Sequence, residues 1–326
     1  MERGEFGIEI YKARKLSLHA KLIFNPNAGA ADEATKKFME VAEKLQAMDI
    51  QTEPYLMEPN CDLPKVIQEA IGQGIRLFIA CGGDGTVSSV AIELIGTNAI
   101  LGIIPTGTQN NIAYSLGIST DIASSVAIIA TGQHKKIDVC NCTCGNQMTH
   151  CIEVCSVGLF SSIFPSSDDI LHGDLTRIGD FITAITTTQP SEIQILLDNE
   201  IEFNFSGHVV LISNVPYIFR HFQVGSKDSL EDGLIDVLFF ADQSKLALIR
   251  HALKSPGTDF ERDPRIQHYR ARSITIDTVP PMPIMADGTK IGEGSVKIDV
   301  QKLALSVLVP AGKTEDITKS GERFEK

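Results

Sequence analysis

One stretch, running from Arg76 to Ile95 as RLFIACGGDGTVSSVAIELI, constrains the fold more than any other part of the chain. Arg76 to Ala80 is a short apolar run of the kind that forms a buried parallel strand, and Val87 to Ile95 repeats apolar residues at roughly helical spacing. Cys81 to Thr86 is therefore a strand-to-helix turn. Within it Gly82, Gly83 and Gly85 can take positive φ and bring bare backbone close to a ligand, while the following helix aims unpaired N–H groups at the same point. Such a concavity suits an anion, most naturally the phosphates of a nucleotide.

The turn has neither the Lys-Ser or Lys-Thr of a P-loop nor the Gly-x-Gly-x-x-Gly spacing of a dinucleotide fold. Asp84 stands among groups that favour an anion, and a carboxylate repels phosphate unless a divalent ion or a hydroxyl donor intervenes. Asp84 is thus a candidate partner for magnesium or for a nucleotide hydroxyl. The plainer reading is a glycine-rich turn with an N-capping Asp or Thr.

Two further turns repeat the arrangement. Ile100 to Ile104 is an apolar strand running into Pro105-Thr-Gly-Thr-Gln-Asn-Asn111 and a helical pattern from Ile112 to Leu116. Upstream, the strand Lys21 to Phe24 leads into Asn25-Pro-Asn-Ala-Gly29. Turns that follow parallel strands lie together at the carboxyl edge of an open α/β sheet, where such sheets bind ligands. One cleft is expected to collect all three.

Around these turns the chain alternates strand and helix: a helix over about 32–48, a strand over 50–56, a helix over 63–72 and another over 120–131 ended by Gly132. That alternation predicts a parallel sheet covered on both faces, forming a first domain over 1–135. From Lys136 the pattern changes to strands separated by turns, at 137–144, 148–155, 193–197, 201–205, 207–213, 234–240, 272–278, 282–286, 295–299 and 303–309, with helical stretches near 174–187 and 243–253. The region 136–326 reads as a mostly antiparallel second domain.

Taken in order, Asn25-Pro-x-x-Gly29, Gly82-Gly-Asp-Gly-Thr86, Pro105-x-Gly-Thr-x-Asn110, Asp232-Gly-Leu-Ile-Asp236 and Asp287-Gly288 resemble the diacylglycerol kinase catalytic domain family, which includes bacterial soluble lipid kinases and sphingosine kinases. Gly-Gly-Asp-Gly-Thr by itself is shared with NAD kinases and echoed in phosphofructokinases. The specificity lies in the ordered set, which spans nearly the whole chain. The resemblance implies an α/β N-terminal domain with a parallel sheet, of NAD kinase or diacylglycerol kinase type. It also implies a β-sandwich C-terminal domain whose last segment returns to the first. The implied activity is ATP-dependent transfer of the γ-phosphate to the hydroxyl of a lipid, diacylglycerol or a sphingoid base, with ATP and Mg2+ as cofactors and a place in phospholipid metabolism.

By the same resemblance Asn25, Gly82, Gly83, Asp84, Gly85, Thr86, Thr108 and Asn110 match nucleotide-binding positions, and Asp84 and Asp287 match catalytic ones. Read from the residues alone, Asn25 and Asn110 are turn formers, whose amides often cap their own backbone. Ser229-Leu-Glu-Asp-Gly-Leu234 resembles a loop that holds a structural magnesium, through the Asp232 carboxylate and the carbonyls of Ser229 and Leu234. Its plain alternative is an Asp-Gly turn.

Three positions depart from the family pattern. Thr289 stands where relatives carry the Glu of Asp-Gly-Glu, leaving Asp287, or Glu293 from the next turn, as the base. Asn111 replaces an Asp, and Glu153 stands where many relatives have Asn. A nucleotide- or lipid-binding member without the usual catalysis is therefore the alternative reading, carried by Thr289 and Asn111. A NAD-kinase-like activity is disfavoured by the Asp232 and Asp287 motifs.

A formal net charge of −12 argues against broad nucleic-acid binding. No apolar run approaches the roughly 18 residues of a membrane helix, so the expectation is a cytoplasmic protein that meets its lipid substrate at a membrane surface, with peripheral contact and a homodimer left open. Arg250, Lys254, Arg262, Arg265, Arg270 and Arg272 are the candidate headgroup contacts, against a solvated loop balanced by Asp259, Glu261 and Asp263. Phe160, Ile163, Phe164, Tyr217, Ile218, Phe219 and Phe222 are candidate lipid-pocket residues, against a role in the core. The seven cysteines read as free thiols. Cys140, Cys142, Cys144, Cys151 and Cys155 read as a hairpin with small, semi-apolar side chains rather than as a zinc site, since no pair has C-x₂-C spacing.

Overall fold

The computed structural model describes residues 18–28, 33–159, 189–218, 222–226, 229–241 and 266–311. Its first half runs β1 (Leu18–Phe24), α1 (Ala34–Ala47), β2 (Ile50–Leu56), α2 (Leu63–Gly72), β3 (Leu77–Gly82), α3 (Asp84–Leu94), β4 (Ile100–Pro105), α4 (Asn111–Ser115) and α5 (Ile122–Thr131). The helices begin where short polar side chains can satisfy their first amides. Asp62 accepts from the Lys65 N–H at 3.2 Å ahead of α2, and Asp121 accepts from the Ser124 N–H at 2.8 Å ahead of α5.

The four strands pair in parallel in the order β2-β1-β3-β4. Every residue of β3 is buried, which accounts for its unbroken apolar run, since a strand covered on both faces has no solvent side to alternate toward.

The second half contributes β5 (Gln133–Cys144), β6 (Gln147–Cys151), β7 (Val154–Gly158), β8 (Ser191–Leu197), β9 (Ile201–Ser213), β10 (Tyr217–Ile218), β11 (Phe222–Gln223), β12 (Ile235–Ala241), β13 (Ile266–Ala271), β14 (Ser273–Val279), β15 (Pro283–Ala286), β16 (Thr289–Glu293) and β17 (Ser295–Val309). These strands pair with one another antiparallel and form a β-sandwich. Ile195, Val210, Ile212, Phe239, Ile276 and Ile284 pack inside it. β17 then returns to the first half: Ser306 and Val307 lie parallel beside Ile100 and Leu101 of β4, while the same strand runs antiparallel to β5. One continuous strand thereby fixes the second half against the nucleotide-type sheet.

Several strands differ from the expected ones. Residues 201–205 and 207–213 form the single strand β9, and 295–299 and 303–309 form the single strand β17. Gln301-Lys302 looks like a turn in sequence, but the ladder absorbs it as an irregularity between Gln301 and Leu305. There Leu303 takes φ +50° and donates its N–H to the Asp138 carboxylate at 2.7 Å. The expected strand 148–155 is instead split at Ile152-Glu153, where the backbone turns its amides toward the carboxylate of Asp287, in the turn after β15. β13 and β16 were not anticipated.

The cysteine-rich hairpin forms as expected, with Cys140 opposite Cys151 and Gly145 in the turn at φ +57°. Cys140, Cys142, Cys144 and Cys151 lie on its two strands, whereas the expected fifth member, Cys155, lies on β7 beyond the bend at 152–153; all five are buried and free of disulfides. Outside the described residues lie Gly29, the helical stretches 174–187 and 243–253, Phe160, Ile163, Phe164 and Phe219, and the charged residues between Arg250 and Arg265.

Candidate active site

The three turns meet at the carboxyl edge of the parallel sheet. The Asn25 N–H donates to the Cys81 carbonyl at 3.0 Å, and the Thr106 N–H donates to the Gly82 carbonyl at 2.9 Å. The outer two turns are thus tied to the central one. Gly83 and Gly107 pack backbone on backbone: a Cβ on Gly83 would stand 3.2 Å from the Gly107 Cα, and one on Gly107 would run into the Gly83 Cα. Glycine is required there for close approach, at φ values open to any residue. Gly85 is exposed at the start of α3, Thr86 is buried, and Thr108 is half-buried on the neighbouring turn.

The two asparagines brace the cradle itself. Asn25 Nδ2 donates to Thr86 Oγ1 at 2.9 Å, while Asn25 Oδ1 accepts from the Asn27 N–H at 3.0 Å. Asn110 sits at φ +55° and closes on Gly107 twice, accepting from its N–H at 3.1 Å and donating to its carbonyl at 2.8 Å. Asn110 is spent on its own turn, as its residue type favours, while Asn25 divides its amide between its own turn and Thr86 of the central one.

Asp84 crosses from one turn to the next. Its carboxylate accepts from the Ile112 N–H at 3.0 Å, at the start of α4. Burial pushes the Asp84 carboxyl above its ordinary value; the amides of Ile112, Asn111 and Asn110 pull it back, and the charge of Asp287 adds to the rise.

Asp287 reaches this place from the far half of the chain. Its carboxylate accepts from Ser88 Oγ at 2.6 Å, Cys151 Sγ at 3.1 Å, and the N–H groups of Ile152, Glu153 and Val154 at 2.7, 2.9 and 3.0 Å. Burial raises the Cys151 thiol well above its ordinary value, so it stays protonated and donates. A carboxylate has about four lone-pair directions, so five donors occupy them all. Asp287 therefore anchors the second half to α3. Thr289 is exposed on β16, and Glu293 pairs with Lys290 at 3.6 Å with both side chains largely in solvent.

Ser88, the contact of Asp287 on the first half, was not singled out in the sequence. Its spacing offered a signal, because residue 88 lies four after Asp84 and on the same face of α3.

Two of the family departures touch each other. Asn111 Nδ2 donates to Glu153 Oε1 at 2.7 Å, with both residues buried. The two positions that depart from the family pattern thus share one buried hydrogen bond between the two halves of the chain.

The loop read as a magnesium site is built differently from the expectation. The Asp232 carboxylate accepts from the Leu234 N–H at 2.8 Å and from the Arg270 guanidinium. The Ser229 hydroxyl lies 2.6 Å from the Ser226 carbonyl and 2.8 Å from the fully buried Asp236, which share its single proton. Among the described residues no three His, Cys, Asp or Glu side chains converge so as to hold a metal ion. The one carboxylate of the expected ligand set, Asp232, already carries the Arg270 cation, which disfavours a structural divalent ion there.

Comparison with known proteins decides the family. The model of the diacylglycerol kinase catalytic domain matches residues 19–142, and that of the YegS C-terminal NAD kinase beta sandwich-like domain matches 170–309. The chain belongs to the diacylglycerol kinase catalytic domain family. It is 26% identical to a diacylglycerol kinase of Staphylococcus saprophyticus over 286 residues, covering 82% of this chain and 88% of that protein. It is 28% identical to an uncharacterized protein of Synechocystis over 308 residues, covering 89% and 70%. The fold matches the crystal structure of a diacylglycerol kinase from Bacillus anthracis with a TM-score of 0.70 at 20% identity, covering 90% of this chain and 97% of that one.

Within this diacylglycerol kinase family member, Asn25, Gly82, Gly83, Asp84, Gly85, Thr86, Thr108 and Asn110 belong to the three gathered turns. Asp287 joins them through α3. Ser229, Asp232 and Leu234 lie apart, on the loop ahead of β12. Sequence reading did not assign Ser88, Cys151 or the 152–154 amides to this site.

Proposed function

We propose that this chain transfers the γ-phosphoryl group of ATP to a hydroxyl of a lipid, of the diacylglycerol or sphingoid type. The reading rests on one arrangement above all: three backbone-rich turns gathered at the sheet edge, with Asp84 and Asp287 beside them. Phosphoryl transfer asks a protein to hold two substrates in line and to stabilise charge on the transferred group. The Gly82–Thr86 turn and the start of α3 offer N–H donors to the phosphates.

None of the three turns contains Lys or Arg. ATP would therefore bring its own counter-charge as the magnesium complex, the ion neutralising phosphate charge that the cradle does not. Asp84 is the better-suited proton acceptor for the lipid hydroxyl, because its raised pKa moves it toward the working pH, as a general base needs. Asp287, saturated by its five donors, holds α3 in place and supplies part of that rise.

Among the described residues no helix is long and apolar enough to cross a membrane. The lipid would then be met at the membrane surface. The alternative, a nucleotide- or lipid-binding member without transfer, is motivated by Thr289 and by the Asn111–Glu153 exchange.

Single-turnover transfer from γ-labelled ATP to a panel of diacylglycerol, sphingoid and monoacylglycerol acceptors in mixed micelles separates the two. Labelled lipid supports the kinase. Tight ATP binding with no labelled lipid in any micelle leaves the binding reading.

A further inference from the structure

The segment from Ser229 to Asp236 is rich in carboxylates, and each has a basic partner. Glu231 pairs with Lys135 at 2.9 Å, and Asp232 pairs with Arg270. Asp236, fully buried, meets the His268 ring at 2.7 Å and Arg270 Nε at 3.4 Å. The Lys302 side chain lies across Gly233, which holds φ +75° and donates its N–H to the buried Asp138 at 2.6 Å.

Arg270 is placed by strand register, not by chance of its long side chain. It lies on β13 directly opposite Asp236 on β12, and its two nitrogens span Asp232 and Asp236. A guanidinium can bridge two carboxylates in this way because its donors form a rigid, planar fork. A hard divalent ion gains much of its affinity from uncompensated carboxylate charge, and here Glu231, Asp232 and Asp236 each already face a basic side chain.

We propose that Arg270 is the resident cation of the 229–236 loop, so that the chain folds and holds its second half without a divalent ion there. Any magnesium requirement then belongs to the nucleotide alone. The inference is independent of the kinase reading, because its test uses neither nucleotide nor lipid.

The test uses the full chain, with Mn2+ as the probe. Bound Mn2+ is counted by electron paramagnetic resonance in the wild type and in Asp232→Asn, and thermal unfolding is followed in EDTA and in millimolar Mg2+. We expect the same Mn2+ count in both proteins and a wild-type Tm that does not move between EDTA and Mg2+. A bound Mn2+ present in the wild type and lost in Asp232→Asn overturns the proposal, as does a wild-type Tm that falls by several degrees in EDTA.

Arg270→Gln should lower Tm by about 3–6 °C through the stranded carboxylates, and Arg270→Lys should recover only part of that, since an ammonium cannot bridge both. An Arg270→Gln protein that melts with the wild type also overturns the proposal. Should that variant not fold, the wild-type ion count and the EDTA melt still decide the question.

Discussion

The Asn111–Glu153 bond can be tested by reversing it. Asn111→Asp and Glu153→Gln are isosteric, so each changes polarity without changing volume. In the wild type an amide donates to a buried carboxylate at 2.7 Å, a charge-assisted bond worth about 1.5–3 kcal/mol. Asn111→Asp alone sets two carboxylates at that distance; one must take up a proton or the pair must separate, at a cost of about 2–4 kcal/mol. Glu153→Gln alone keeps a neutral amide-to-carbonyl bond and costs about 1 kcal/mol.

The double variant restores one amide facing one carboxylate, in the orientation that the family pattern implies, and should lie within about 1 kcal/mol of the wild type. The coupling energy is then about 2–5 kcal/mol in favour of the double variant. Urea unfolding of the four proteins measures it. Additive effects, within the roughly 0.5 kcal/mol expected of independent sites, would refute the view that these two departures are one exchange.

Three further outcomes are expected. Gly107→Ala drives a methyl group into the Gly83 Cα, so the two turns part, stability falls by about 1–3 kcal/mol and calorimetric affinity for ATP drops at least about tenfold; unchanged affinity would detach the cradle from the nucleotide. Asp84→Asn should remove activity and ATP affinity together, and it also carries a pH signature. The folded carboxyl is raised, so the wild type gains stability relative to this variant as pH falls through the folded value toward the ordinary one, and urea titrations at several pH values should show the difference moving in that direction. Asp287→Ala strands three backbone amides, the Ser88 hydroxyl and the Cys151 thiol, and should cost about 3–5 kcal/mol in chemical denaturation; a loss below about 1 kcal/mol would remove its role as an anchor.

The elements that sequence reading located well are those whose signals are local. β3 announces itself by an unbroken apolar run, α5 by helical spacing ended at Gly132, and the phosphate-type turns by glycines at the ends of strands. Strand continuity was read less well. In β17 a polar pair looks like a turn, while the amide of Leu303 is in fact held by a carboxylate 165 residues earlier in the chain. Nothing within a window of ten residues carries that information.

What the chain's order of residues determined was the kind of backbone available at each point: where glycine permits two turns to touch, where an Asp can cap, and which strands are buried on both faces. Tertiary structure alone decided the partners. Asp287 reads as the candidate base in sequence and is found as a saturated anchor because strand pairing sets β15 beside β7, where the bend at 152–153 and the first residue of β7 turn three amides toward it. Asp232 reads as a metal ligand and is given to Arg270 because the register of β12 and β13 places a guanidinium there. Whether a carboxylate is a base, a staple or half of an ion pair depends on the donors that surround it, and those donors arrive from distant segments when the sheet closes.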